Sequence, residues 1–211
     1  MPKQKKENRI MNQKPTYKVS ATIVNSYLYY KQFPSAQSKQ SFEDTLNKVF
    51  KPNKWTERGN RFEQEVFEGK HGKLSQLVSK LPKQQWGNKT LEFPEFKIFL
   101  SGKLDVFDPT KKRIYDIKRT SVFKEATYNN SVQHLFYLYL FPDVTNFYYL
   151  VAEGPDDTIT DIHIVDKPRP EALEDTVKKA IADFIDFLKE NNYWETFTQK
   201  HSIRKNRKNA E

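Results

Sequence analysis

The chain has 211 residues, no cysteine, and 36 Lys and Arg against 27 Asp and Glu, a formal net charge of +9. The length suits a single domain able to bury its own core without staples. The lack of cysteine excludes a disulfide framework, a thiolate zinc site, an iron–sulfur cluster and a cysteine nucleophile.

Both ends of the sequence are basic. Residues 1–14 carry Lys3, Lys5, Lys6, Arg9 and Lys14 against Glu7, and residues 200–211 carry Lys200, Arg204, Lys205, Arg207 and Lys208 against Glu211. Each run is net +4, which leaves only +1 for the 185 residues between them. Tethered cations of this kind suit a phosphate-rich partner, although a solubilising tail has the same composition. The expectation is a basic flexible tail over 1–16, a folded domain over 17–195 and a second basic flexible tail over 196–211. The opening MPKQKKENRIMNQK leads into no apolar stretch, and the longest apolar run, Leu135 to Phe141, is far short of the roughly 20 residues of a membrane span. A soluble, cytoplasmic protein with no membrane contact is expected.

In chain order, Ser20 before Ala21-Thr22-Ile23-Val24 predicts a capped helix running to Phe33-Pro34. A second helix is expected at about Ser41 to Phe50. A longer one follows from Thr56 to Leu81, with Gly69 and Gly72 as points of interruption. After Pro82 the period changes, and Leu91–Phe107 and Arg113–Arg119 read as strands joined by the turn Phe107-Asp108-Pro109-Thr110. A short buried helix, Asn130 to Phe141, ends at Pro142. Two more strands, Val144–Val151 and Thr158–Val165, precede a helix beginning near Pro170 that carries Leu173, Val177, Ala180, Ile181, Phe184, Ile185 and Leu188 on one face. The fold class is α/β or α+β, with antiparallel strands at the centre and helices around them.

Four short pieces carry chemistry: Arg58-Gly59-Asn60-Arg61-Phe62-Glu63 on a helix, Gly102-Lys103-Leu104-Asp105 at a strand end, Tyr115-Asp116-Ile117-Lys118 on the partner strand, and Gln133-His134-Leu135-Phe136-Tyr137 on a helix. Alternation puts Asp116 and Lys118 on one face of their strand, and a hairpin brings Asp105 across toward Asp116. Two carboxylates repel unless a positive group lies between them, and oxygen donors suit a hard cation such as Mg²⁺ or Mn²⁺. A cation there, with an ammonium beside it, serves hydrolysis of a phosphodiester. Each piece also has a plain reading: an exposed Asp–Lys ion pair, a solvated Glu63, or a Gln133 and Tyr137 that merely satisfy their own hydrogen bonds. His71, His134, His163 and His201 have no zinc spacing, and no Walker-type glycine loop occurs.

Glu63, Gly102-x-x-Asp105, Asp116-Ile117-Lys118 and Gln133-x-x-x-Tyr137, in that order, resemble the PD-(D/E)XK nuclease superfamily in its RecB-like and phage-exonuclease branch. The resemblance spans about residues 20–190. It implies a restriction-endonuclease-like fold, a central mixed sheet with an antiparallel hairpin core flanked by helices. It also implies a Mg²⁺- or Mn²⁺-dependent DNA exonuclease acting in phage or bacterial recombination and repair. The implied metal ligands are Asp105, Asp116, the carbonyl of Ile117, and Glu63 directly or through water; Lys118 is the implied catalytic lysine; Gln133 and Tyr137 position the DNA strand. A single-strand annealing protein or a helicase is the implied partner beside DNA. Leu104 stands where the family name has proline, and Glu63 falls where many RecB-like members carry histidine. The subgroup with four cysteines around an iron–sulfur cluster is excluded. An endonuclease of the same fold, such as a junction resolvase, a non-catalytic DNA-binding protein and an RNA-directed nuclease are the alternatives.

Overall fold

The computed structural model describes residues 14–203. Strand β1 (Thr16–Val19) leads through Ser20 into helix α1 (Ala21–Gln32), followed by α2 (Ala36–Leu46), α3 (Lys54–Phe67) and α4 (Gly72–Val78). Strands β2 (Trp86–Glu92), β3 (Lys97–Lys103), β4 (Val106–Asp108) and β5 (Arg113–Thr120) come next, then helices α5 (Glu125–Asn129) and α6 (Gln133–Leu140). Strands β6 (Asn146–Glu153) and β7 (Asp161–Pro168) and helices α7 (Leu173–Glu190) and α8 (Trp194–His201) complete the chain.

Local chemistry explains where these elements begin and stop. Ser35 and Ser38 exchange side-chain and backbone hydrogen bonds in a capping box, so α2 starts five residues earlier than its apolar pattern suggests and leaves Val49 and Phe50 exposed. Asn53 caps α3 by accepting from the amides of Trp55 and Thr56. Gly69 and Gly72 both take positive φ (+91° and +47°), and the expected long helix divides there into α3 and α4. The expected strand 91–107 is likewise broken, at the turn before Lys97 and again at Leu104–Asp105.

The strands form two mixed sheets rather than one. In the first the order is β1-β3-β2, with β1 parallel and β2 antiparallel to β3; in the second it is β4-β5-β6-β7, with only the β5–β6 pair parallel. The mixed α+β architecture with an antiparallel β4–β5 hairpin is as expected. The single central sheet divides because the chain leaves one sheet at Lys103 and enters the other at Val106. Helix α6 packs against β2 and β3 of the first sheet and β6 of the second. The larger core includes Phe136, Leu138 and Leu140 of α6 and the buried stripe Val177, Ile181, Phe184, Ile185 and Leu188 of α7. A smaller one sets Phe62, Val66, Leu74 and Val78 of α3 and α4 against Val106, Tyr115, Ile117 and Leu150.

The domain boundaries also move. Lys14 donates to the carbonyl of Phe93 at 2.9 Å, and β1 begins one residue before the expected start at 17. At the other end α8 continues through the expected boundary at 196: Phe197 is completely buried, and the amide of Ile203 donates to Thr16. One large aromatic ring outweighs the polar composition around it. Residues 1–13 and 204–211, which hold most of the expected tails, lie outside the described residues. Among the described residues no helix is long and apolar enough to cross a membrane.

Candidate active site

The site forms where the two sheets meet. Val106 pairs with Tyr115, so Asp105, the residue before, stands level with Asp116. The Asp105 carboxylate turns back onto β5, its Oδ2 accepting from the backbone amide of Ile117 at 2.8 Å. Along β5, Tyr115 and Ile117 face the small core beneath α3, while Asp116 faces α6, whose first residue, Gln133, donates from Nε2 to Asp116 Oδ1 at 2.9 Å. Lys118 Nζ lies 2.5 Å from Asp116 Oδ2, at an angle that leaves this oxygen with an ion pair but no hydrogen bond.

Burial decides between the two readings of this Asp-x-Lys segment. Asp116 is 1% exposed, whereas an ordinary same-face ion pair on a hairpin is solvated. Burial, with the charges of Asp105 and Glu63, pushes the Asp116 carboxyl up to about 7 against the pull of Lys118. Asp105 is also raised, by burial first, while Lys118, the Ile117 amide and Lys103 pull it down. For Lys118, burial works against the charged form, but Asp116 and Asp105 outweigh it and hold the ammonium above its ordinary value.

Glu63, on α3, is held above the usual carboxylate range by burial and by Asp105, with Gln84 opposing at 3.4 Å. It senses Asp105, yet no set of three or more acidic or histidine side chains converges into a metal-holding group among the described residues. The donor set nonetheless fits a hard divalent cation: two adjacent carboxylates, one with a buried oxygen free of hydrogen bonds, are both pushed toward protonation by burial. A dication between them would offset that repulsion.

Tyr137, one helical turn after Gln133, donates its hydroxyl to the carbonyl of Lys103 at 2.7 Å. Its ring lies flat against Gly102: a Cβ there would stand 2.7 Å from Tyr137 Cε1. The glycine of Gly102-x-x-Asp105 thus serves as the seat of the Tyr137 ring, and its φ is unremarkable. The expected residues Glu63, Asp105, Asp116, Ile117, Lys118, Gln133 and Tyr137 therefore all fall around one seam, with Glu63 at its margin. Gln84 and Lys103 join them without a sequence signal. Gln84 holds a left-handed φ of +54°, with its amide donating to the Asp105 carbonyl at 2.8 Å and its side chain reaching Glu63. Non-glycine residues adopt that conformation at a cost, and such cost concentrates at functional sites.

His134 sits next to Gln133 but turns into the core, near Phe147 and Tyr149. Burial lowers its pKa from 6.5 to about 4, with Lys167 adding to the shift. Unfolded chains bind this proton near 6.5 and the folded chain does not, so stability is full above 6.5 and falls as pH drops toward 4, by up to about 3 kcal/mol. His201, also lowered by burial, acts with the same sign. Urea titrations at pH 7 and pH 4.5 should show His134→Leu losing less stability on acidification than wild type; equal losses would remove His134 from the account. Tyr30 stacks on Phe42 in the core, whereas its neighbour Tyr29 is exposed.

No family model and no curated protein matches the sequence. Solved structures do. The protein SSO0001 superposes with a TM-score of 0.56 at 14% identity, over 88% of this chain and 83% of that one. A candidate exonuclease from Eubacterium rectale gives 0.54 at 14%, over 83% and 81%. The alkaline exonuclease of Laribacter hongkongensis gives 0.50 at 13%, over 87% and 92%, and its complex with dAMP gives 0.51 at 12%, over 86% and 92%. The chain therefore shares its fold with these solved structures, two of them described as exonucleases.

Proposed function

We propose that this protein is a Mg²⁺- or Mn²⁺-dependent deoxyribonuclease that hydrolyses phosphodiester bonds at DNA ends, in phage or bacterial recombination or repair. The observation that carries the reading is the buried Asp116, set level with Asp105, ion-paired to Lys118 and held by Gln133. An isolated buried carboxylate pair is costly, and a structural role is met more cheaply by apolar residues. The fold shared with an alkaline exonuclease that also binds dAMP suits a mononucleotide product.

In this reading Asp105, Asp116 and the Ile117 carbonyl would hold the cation, with Glu63 joining directly or through water. A divalent cation bound there supplies Lewis acidity to the scissile phosphate. Asp105 is fixed by the Ile117 amide and Asp116 by Gln133, so neither carboxylate must reorganise when substrate arrives. Lys118, beside Asp116, steadies negative charge on the phosphate and orients the attacking water. Tyr137 fixes the end of β3 that leads into Asp105. A helicase or single-strand annealing protein would supply or receive the processed end.

The test is a Mg²⁺-dependent time course on end-labelled linear duplex beside covalently closed circular DNA. Progressive loss of linear DNA with circles intact is expected. Cutting of circles would replace the exonuclease by an endonuclease, and binding without cleavage would leave a non-catalytic DNA-binding protein.

A further inference from the structure

Beyond the catalytic seam, one cleft pairs an exposed indole with two lysines that form no ion pair within 4 Å among the described residues. It has a volume of about 360 Å³ and is lined by Lys18, Ser20, Trp86, Lys103, Gln133 and Tyr137, among others. Its inner wall is the same Gln133 and Tyr137 that hold Asp116 and the end of β3, so the cleft opens directly beside the acid pair. Trp86 is 66% exposed, although an indole is among the side chains that gain most from burial. The β2–β3 register sets Trp86 opposite Lys103, and Lys18 Nζ lies 6.0 Å from the indole centroid. Neither Lys18 nor Lys103 has a carboxylate within 4 Å among the described residues. By contrast, in the hollow around Arg58 and Arg119 the terminal guanidinium nitrogens are engaged, donating to Ser121 and to the carbonyls of Gly154, Thr120, Ala152, Asp156 and Thr158 and stapling a loop, although Arg58 Nε is buried without a partner.

We propose that this cleft grips an unpaired nucleotide of the DNA strand, with a base stacked on Trp86 and the flanking phosphates met by Lys18 and Lys103. Aromatic faces accept any base, and Lys18 near the ring with Lys103 on the neighbouring strand supplies cations for the phosphates that alternate with the bases of a strand. The cleft lies on the first sheet and the acid pair on the second, so the strand runs from the stacking platform across Gln133 and Tyr137 to the site of cleavage. The consequence is a preference for ends that carry, or readily fray to, a single strand. This inference rests on the nuclease reading for its direction of travel and not for the contact itself.

The test measures binding of the full chain to a fluorescein-labelled single-stranded oligonucleotide without divalent metal, using wild type, Trp86→Ala, Trp86→Phe and Lys18→Ala. Trp86→Ala is expected to bind about 10-fold more weakly and Trp86→Phe to recover most of the loss, since stacking needs a ring. Moving a single abasic site along the oligonucleotide should reveal one position that weakens wild type by a similar factor and leaves Trp86→Ala unaffected. Lys18→Ala should weaken intact and abasic strands alike and flatten the salt dependence by about 0.7 in slope. Unchanged binding by Trp86→Ala, additive losses at every abasic position, or no binding by wild type would each overturn the platform. Wild type that binds in this pattern but does not cleave when Mg²⁺ is added would retain the platform and overturn the nuclease reading.

Discussion

Lys118→Ala and Asp116→Ala are each expected to lose DNA cleavage by at least about 10²–10³-fold while keeping the fold and the ability to bind DNA. The reasoning starts from the 2.5 Å ion pair between two groups on the same face of β5. Removing Lys118 takes away the ammonium paired with Asp116 and leaves two raised carboxylates without their principal opposing charge. Removing Asp116 frees Gln133 and halves the carboxylate pair. Asp116 is buried and Lys118 partly so, but neither belongs to the apolar clusters, so circular dichroism and thermal melts should remain cooperative. Lys118→Arg is a further probe: the planar guanidinium keeps the charge but cannot occupy the compact position of the ammonium, and it should restore little activity. Wild-type rates in either alanine variant would sink the assignment.

Gly102→Ala damages the same site from a distance. One added methyl would meet the Tyr137 ring at 2.7 Å and Leu140 at 3.2 Å, and that ring is also stacked on Phe147 and tethered through its hydroxyl to the Lys103 carbonyl. Overpacking of this kind costs about 1–3 kcal/mol, or several degrees in Tm for a chain of this length. The end of β3 must shift, carrying Asp105 with it, so cleavage should fall as well as stability. Tyr137→Ala removes the obstacle, and the double variant should therefore be more stable than the sum of the two single losses. Gly102→Ala with unchanged melting and unchanged turnover would show that Tyr137 has room to move.

The contrast between what the sequence reveals and what it conceals follows from distance along the chain. Asp105 and Asp116 are joined by one hairpin whose turn, at residues 109–112, lies two residues beyond the expected Phe107–Thr110, yet their approach is legible from alternation alone. Gln133 and Tyr137 are one helical turn apart and share a face for the same reason. Tertiary placement is another matter. That α6 closes over Asp116, making a common surface motif into a buried site, depends on contacts with both sheets that no local pattern encodes. Gln84 looks like one of two adjacent glutamines before a strand; its left-handed backbone and its contacts with Asp105 and Glu63 emerge only when the strands are assembled. The break at Leu104–Asp105 is masked because the apolar Leu104, Val106 and Phe107 read as a continuation of the strand, although Gly102 and Asp105 are poor strand formers. Composition misled at 196, where polar neighbours mask the fully buried Phe197.

The division of the strands into two sheets has a consequence for how such a protein diversifies. On the proposed reading, the reacting groups belong to the β4–β5 hairpin and the residue before it, while the surface that would meet the rest of the strand belongs to β1, β2 and β3, with α6 packed against both sheets. Substitutions at Lys18 or Trp86 can retune which DNA ends are accepted without touching Asp105, Asp116 or Lys118. Lineages are free to explore new substrates on one sheet while selection holds the chemistry still on the other, which is one physical route by which sequences with 12–14% identity retain a common fold.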